Sequence, residues 1–232
     1  MNDKEIDDIL KQAAQAPEQV DPALLDRIAG SIQSSLRPVR PLAPAWALSL
    51  GLVLVCVAVA VGAAVRSGLY GFQKMAAFER ALIFPALAVF MALAATACVG
   101  EMIPGSRRRV PPGALLAGGS LALLAVFAAV FHDYQTERFV AQGLVCLAAG
   151  LFYAVPAALA SWLLLRRGFA VNAAAAGLVT GTLAGLAGVT MLELHCPNFE
   201  APHVMVWHTA VIVVSAGAGA LVGRLRRARG SQ

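Results

Sequence analysis

Six long apolar runs dominate this chain of 232 residues and constrain what it can fold into. Each run spans roughly 18 to 26 residues, and about 20 apolar residues cross the hydrocarbon core of a bilayer as a helix. A soluble domain could not bury six such stretches, and a composition with 59% hydrophobic and 13% charged residues fits a membrane protein. The sequence therefore predicts an all-α, polytopic membrane protein, a six-transmembrane-helix bundle with a short N-terminal helical region. The runs are centred on Leu54, Phe90, Leu123, Tyr153, Gly185 and Ser215.

The basic residues predict how this bundle is oriented. If the N-terminus is cytoplasmic, fourteen of the 18 Lys and Arg fall on the cytoplasmic side, and the exceptions are Arg66, Lys74, Arg80 and Arg138. The positive-inside rule then favours both termini in the cytoplasm, and the plain setting is a bacterial inner membrane. The net charge of +5 is thus a topology signal, and no direct contact with nucleic acid is expected. Three parts follow: a cytoplasmic region with a tether (1–43), the six-helix domain (44–226) and a basic tail (227–232).

The segment before the first run is acidic and amphipathic, and we call residues 1–43 the head. Asp21 is a good N-cap, and Pro22 suits the first turn of a helix. The prolines in 37–44 (RPVRPLAP) end that helix and form a stiff tether. The head is too short to own a core, so its apolar stripe is suited to the groove of a partner, and its acidic charge suits a basic one. A solvated or membrane-lying tail is the alternative. The predicted partner-binding residues are Asp21, Leu24, Leu25, Asp26, Ile28, Ile32 and Leu36.

Two of the four cysteines, Cys146 and Cys196, lie toward the predicted outer face, where a disulfide could persist. Their spacing leaves open whether they come within disulfide distance. Cys56 and Cys98 are expected to be small packing residues.

The last outer loop also concentrates residues of the metal-binding type. Thiolate and imidazole together suit zinc, copper or a toxic thiophilic metal. The spacing matches no standard zinc signature, and a polar lid bounded by prolines and Trp207 is the alternative reading. The candidate metal ligands are His195, Cys196, His203 and His208, with Glu193 and Glu200 nearby.

Several function classes are disfavoured. The chain has no nucleophile elbow, phosphate loop or paired carboxylates within a span, so we expect neither an enzyme nor a cofactor. No charged residue lies in the middle of a run, which argues against ion-coupled transport. A small-molecule or metal permease that captures its solute at the loop around Cys196 remains as an alternative, and a purely structural subunit is a third.

Small residues recur every fourth position on the fifth and sixth runs, at Gly177, Gly181 and Gly185 and at Ser215, Gly219 and Gly223. Such stripes let two transmembrane helices approach closely. The pattern predicts that the fifth and sixth helices pack backbone against backbone.

Three segments resemble the NrsF-like family of bacterial membrane anti-sigma factors: SSLRPVRPLAPAW before the first run, GLVCLAAGLFYAVPAAL around Cys146, and LHCPNFEAPHVMVWHT between the fifth and sixth runs. The resemblance covers essentially the whole chain. It implies that the N-terminal region holds an extracytoplasmic-function sigma factor and releases it under stress. The two characteristic cysteines of the family would correspond to Cys146 and Cys196, as sensors of oxidants or heavy metals. Asn198 stands where the resemblance predicts an acidic residue, and Glu200 follows two positions later.

Overall fold

The computed structural model describes Glu5, Asp7, Asp8, Lys11 and residues 22–35, 43–103, 110–165, 170 and 172–230. Contacts divide the chain into two units, Met1–Pro41 and Leu42–Gln232. In the first unit, helix α1 spans Pro22–Ser35. The side chains of Leu25, Asp26, Ile28 and Ile32 are all exposed on it. Asp21, Leu36 and the side chain of Leu24 lie outside the described residues.

The second unit is built from helices long and apolar enough to cross a membrane six times, by length and composition. Within the described ranges no strand forms, so the predicted all-α class with six spanning helices is confirmed. The elements are α2 (Ala45–Ser67), the short α3 (Tyr70–Lys74), α4 (Ala77–Met102), α5 (Pro112–Val130), α6 (Phe139–Leu165) and α7 (Ala173–His195). The last span begins as α8 (Ala201–His203), passes through a π-helical turn (Val204–His208) and continues as α9 (Thr209–Gly230).

Helix α7 is the centre of the bundle. Its most apolar stretch is 78% buried, whereas those of the other five spans are between 22% and 44% buried. It packs against α2, α4, α6 and α9. Small residues on all its faces permit this position, because neighbouring helices can approach from every side. Its start is fixed by Asn172, whose side-chain oxygen accepts a hydrogen bond from the backbone N–H of Ala175 (3.1 Å).

The glycine stripe brings α7 and α9 into backbone contact, as the sequence predicted. A Cβ added at Gly177 would collide with the Gly219 carbonyl oxygen, and one at Gly181 with that of Ser215. At Gly185 a Cβ would lie 2.7 Å from the Ile212 Cα. No larger residue fits at these positions unless the helices separate, so α7 and α9 form one closely packed pair.

One end of the bundle, which we call the loop end, is formed by residues 68–76, 131–138 and 196–200. Here Gly68 caps the end of α2, and its φ of 103° suits glycine. Helix α3 then packs under the end of α7, since a Cβ at Gly71 would lie 2.6 Å from the Cys196 carbonyl oxygen and 2.7 Å from that of Glu193. Helix α2 begins and α9 ends at the opposite end of the bundle, because this unit contains six spanning helices.

Candidate functional site

The loop end brings together two cysteines that are 50 residues apart in sequence. Cys146 lies about two turns into α6, and Cys196 follows the last residue of α7. Their Sγ atoms are 3.5 Å apart. Cys196 is 4% exposed, whereas Cys146 is half-buried. This contact between α6 and the α7–α8 loop is the feature that the sequence could not resolve.

Two histidines of the last span complete the cluster. Residues five apart in an α-helix lie about 140° apart around its axis, because each residue turns by about 100°. The π-helical turn after His203 has an i to i+5 repeat, which brings His208 back toward the same face. The two rings lie 5.5 Å apart in an edge-to-face arrangement, and the His203 Nε2 is 3.7 Å from the Cys196 Sγ.

Glu193 holds the His208 ring in place. The Glu193 Oε1 lies 2.6 Å from the His208 Nδ1, and both residues are 1% exposed. When the neutral ring donates to the carboxylate through Nδ1, its other nitrogen, Nε2, carries a lone pair. The sequence placed Glu193 near the candidate ligands, but it did not predict the contact with His208.

Four side chains therefore form one donor group: Cys146, Cys196, His203 and His208. Their ligand-type atoms all lie within 4.8 Å of one another. Among the described residues, the His208 Nε2 and the His203 Nδ1 are buried without a hydrogen-bond partner. We call this group the Cys–His cluster.

Three of the four predicted metal ligands are in this cluster, but His195 is not. Its Nδ1 lies 2.9 Å from the Gly68 carbonyl oxygen, and its ring packs against Tyr70. His195 thus connects α7 to the end of α2, and Cys146 stands in the cluster instead.

An open cavity of about 780 Å³ leads from the surface to the two cysteines and His203. Charged and amide side chains border it, so a polar solute or an ion can reach the thiols from the loop end. These bordering residues are Asp133, Arg138, Gln142, Asn198 and Glu200.

The loop after Cys196 is shaped by Asn198. Its amide donates to the Gln142 Oε1 (2.8 Å) and to the Glu200 Oε2 (3.3 Å), and its Oδ1 accepts from the Glu200 backbone N–H (2.9 Å). The backbone N–H of Ala201 then donates to the Asp133 carbonyl oxygen (2.6 Å). Asn198 therefore supports the cavity wall, and Glu200 contributes a carboxylate beside it.

The surroundings disfavour ionisation of Cys196. The neighbouring Cys146 thiol and then burial raise the pKa of Cys196, while His203 and His208 act in the opposite direction. Cys196 is therefore mostly protonated near neutral pH when nothing else is bound.

The remaining two cysteines are packing residues, as expected. Cys56 and Cys98 are fully buried in α2 and α4. The Cys98 Sγ lies 3.1 Å from the Thr180 Oγ1 of α7.

Fold and site together define a class: a multi-pass helical membrane protein with a thiol and imidazole cluster at one end of its bundle. The model of the family NrsF, "Negative regulator of sigma F", matches residues 33–226. The chain belongs to this family, and it is accordingly a negative regulator with a sigma factor as its partner. No curated protein and no solved structure matches the chain. The family match begins within α1, so most of the head precedes it.

Proposed function

We propose that this chain is an anti-sigma factor of the bacterial inner membrane, with both termini in the cytoplasm. In this proposal the head sequesters an extracytoplasmic-function sigma factor. An oxidant or a heavy metal at the outer face acts on Cys146 and Cys196, and the sigma factor is released. Family membership supports regulation of a sigma factor, and the remaining steps rest on the residues themselves.

The observation that carries the sensing step is the 3.5 Å separation between the two Sγ atoms at the end of an open cavity. A disulfide requires about 2.05 Å between sulfurs, so the two must approach by about 1.5 Å. Two thiols then lose two protons and two electrons to an oxidant. Because Cys146 belongs to α6 and Cys196 to the α7–α8 loop, the new bond would pull two elements together.

The observation that supports binding by the head is the surface of α1. Leu25, Ile28 and Ile32 repeat at helical spacing and are 52%, 45% and 52% exposed. Asp26 adds a carboxylate on the same helix. An apolar stripe with acidic residues matches a basic protein that itself binds nucleic acid, and a sigma factor is such a protein.

The binding step can be tested by co-purifying the sigma factor with the full chain in detergent. Leu25→Asp and Ile28→Asp place a carboxylate in the apolar stripe, and we expect each to abolish co-purification. Gly30→Asp is the matched control, because it adds the same charge on another face of α1 where a Cβ meets nothing within 4 Å. Retention of the sigma factor by both stripe variants would contradict this part of the proposal.

The sensing step requires a separate test, with a reporter transcribed by the sigma factor. Cys146→Ser combined with Cys196→Ser should repress normally and fail to respond to diamide or to Cd²⁺. Cys56→Ser combined with Cys98→Ser is the control and should respond as the unchanged chain does. A normal response of the Cys146 and Cys196 double variant would refute sensing at this site.

The same reporter separates this proposal from a permease that uses the loop around Cys196. Deletion of residues 1–36 should abolish repression if the head binds the sigma factor. A permease would keep its solute-dependent phenotype after that deletion.

A further inference from the structure

We propose that the reduced Cys–His cluster is a tetrahedral site for one divalent d10 ion of the zinc class. The ligands are the Sγ atoms of Cys146 and Cys196 and one ring nitrogen each of His203 and His208. Glu193 is a positioning residue that orients His208. Any link between this ion and release of the sigma factor rests on the proposed function, but binding of the ion does not.

The distances between the donor atoms fit such a site. With Zn–S bonds of about 2.3 Å and Zn–N bonds of about 2.05 Å, tetrahedral geometry separates two sulfurs by about 3.8 Å and a sulfur from a nitrogen by about 3.6 Å. The structure has 3.5 Å between the two Sγ atoms and 3.7 Å between the Cys196 Sγ and the His203 Nε2. All four donor atoms lie within 4.8 Å of one another. The widest separation allowed by this limit exceeds the tetrahedral value by about 1 Å, so binding of the ion requires side-chain shifts of up to about that size.

The imidazole of His208 is already arranged as a ligand. The His208 Nδ1 faces the Glu193 Oε1 at 2.6 Å, and its Nε2 is buried without a hydrogen-bond partner among the described residues. A ring that donates to a carboxylate through one nitrogen and binds a metal through the other is a common arrangement in zinc proteins. A fully buried nitrogen with no partner is costly unless something fills that place. A metal ion supplies the missing partner.

Donor type and charge select the class of ion. Two sulfurs and two imidazole nitrogens in a tetrahedron favour Zn²⁺ or its heavier relative Cd²⁺ over Mg²⁺ or Ca²⁺, which prefer oxygen ligands. Two thiolates also neutralise a divalent charge in a site where Cys196, His203 and His208 are each at most 4% exposed. Asp133 and Glu200 border the cavity through which the ion would enter.

Metal binding and disulfide formation exclude each other. Diamide takes two electrons and two protons from the two thiols, is reduced to the hydrazine, and leaves an S–S bond. Both sulfur ligands are then lost, so the oxidised chain should not hold the ion.

The test uses the full chain, purified in detergent under reducing conditions and freed of metal. Titration with Co²⁺ should give one equivalent per chain, with the absorption of a tetrahedral ion and of thiolate-to-cobalt charge transfer, and Zn²⁺ should displace it. X-ray absorption of the zinc-loaded chain should show two sulfur and two nitrogen neighbours. This spectrum is taken on the unchanged sequence, so it decides the ligand set even if a variant fails to fold.

Variants then assign the ligands. His203→Gln and His208→Gln should each weaken Zn²⁺ binding at least about 100-fold, and His195→Gln is the matched control that should leave binding unchanged. Glu193→Gln should weaken it by about 10- to 100-fold, as expected for a residue that orients a ligand. Prior oxidation with diamide should abolish binding.

Less than one equivalent of bound metal, or a spectrum without two nitrogen neighbours, would overturn the site. The outcome is independent of sigma-factor release. If zinc binds as described but the reporter responds normally when Cys146 and Cys196 are replaced, the metal site is supported and the sensing function is refuted. If the reporter responds to diamide through these cysteines but no metal binds, the sensing function stands and the site fails.

Discussion

Gly71 offers a sharp test of how the Cys–His cluster is held, because helix α3 touches the backbone on which Cys196 is placed. A Cβ at this position would lie 2.6 Å from the Cys196 carbonyl oxygen and 2.7 Å from that of Glu193, whereas an ordinary contact begins at 3.4 Å. In Gly71→Ala, α3 or the end of α7 must therefore move by about 0.7 to 0.8 Å. Both obstacles are backbone atoms, so rotating a side chain cannot relieve the clash. Overpacking of this kind costs about 1–3 kcal/mol in stability.

Two measurements check this reasoning on the purified, reduced chain. The midpoint of thermal unfolding should fall by about 2 to 12 °C, since 1 kcal/mol corresponds to about 2–4 °C at this chain length. Diamide-driven disulfide formation should slow by about 10- to 100-fold, because a misplacement near 1 Å has effects of that size on reacting groups. Gly62→Ala is the control, with no atom within 4 Å of the added methyl. Unchanged unfolding and unchanged disulfide formation in Gly71→Ala would refute the supporting role of α3.

Two further predictions concern the same end of the bundle. Glu193→Ala should lower the free energy of unfolding of the metal-free chain by about 1–3 kcal/mol, because it leaves the buried His208 Nδ1 without its hydrogen-bond partner; chemical denaturation in detergent measures this, and an unchanged free energy of unfolding would contradict it. Because the pKa of Cys196 is raised, the fraction of thiolate is small at neutral pH and grows as the pH rises. The alkylation rate of an ordinary thiol begins to level off above about pH 8.5, and we expect the rate for Cys196 to keep rising there. Cys146→Ala removes the main cause of that shift and should move the alkylation profile to lower pH, as followed by mass spectrometry of the Cys196 peptide; an unchanged profile would refute that cause.

The spanning helices could be predicted from sequence because the bilayer imposes one strong rule, about 20 apolar residues per crossing. The close approach of α7 and α9 was also readable, since Gly177, Gly181 and Gly185 recur at the spacing of one helix face. Both features depend on local periodicity. Contacts between distant segments leave no such periodic trace.

The composition of the cluster shows where sequence reasoning stopped. The sequence offered His203 and His208 as candidate ligands, but in a regular α-helix residues five apart point in different directions. The π-helical turn instead brings their rings to the same side of the last span. His195 looked equivalent to them, yet it contacts the Gly68 carbonyl oxygen. Cys146 enters the cluster through the packing of α6 against α7 and against the last span. The order of helices in the bundle, which local patterns do not encode, decides which residues meet.

In the proposed function, a change at Cys146 and Cys196 weakens the grip of the head on the sigma factor, and we propose that the α7–α9 pair carries this change through the bundle. Glu193 lies near the end of α7, and His208 is the last residue of the π-helical turn before α9, so both helices of this closely packed pair adjoin the cluster. Gly181 lies about 21 Å along α7 from its last residue, at a point where an added Cβ would meet the Ser215 carbonyl oxygen and lie 2.9 Å from the Ala216 Cα. Gly181→Ala should therefore separate the two helices at mid-bundle and leave the distant thiols in place.

In Gly181→Ala, we expect diamide to form the disulfide within about two-fold of the normal rate. Oxidant-induced release of the sigma factor should fall at least about five-fold, which is the lower range of allosteric coupling. Gly217→Ala adds the same methyl on α9 where nothing lies within 4 Å, and should change neither quantity. If Gly181→Ala forms the disulfide and releases the sigma factor as the unchanged chain does, the signal does not pass through this interface, and coupling through another helix such as α6 would have to carry it.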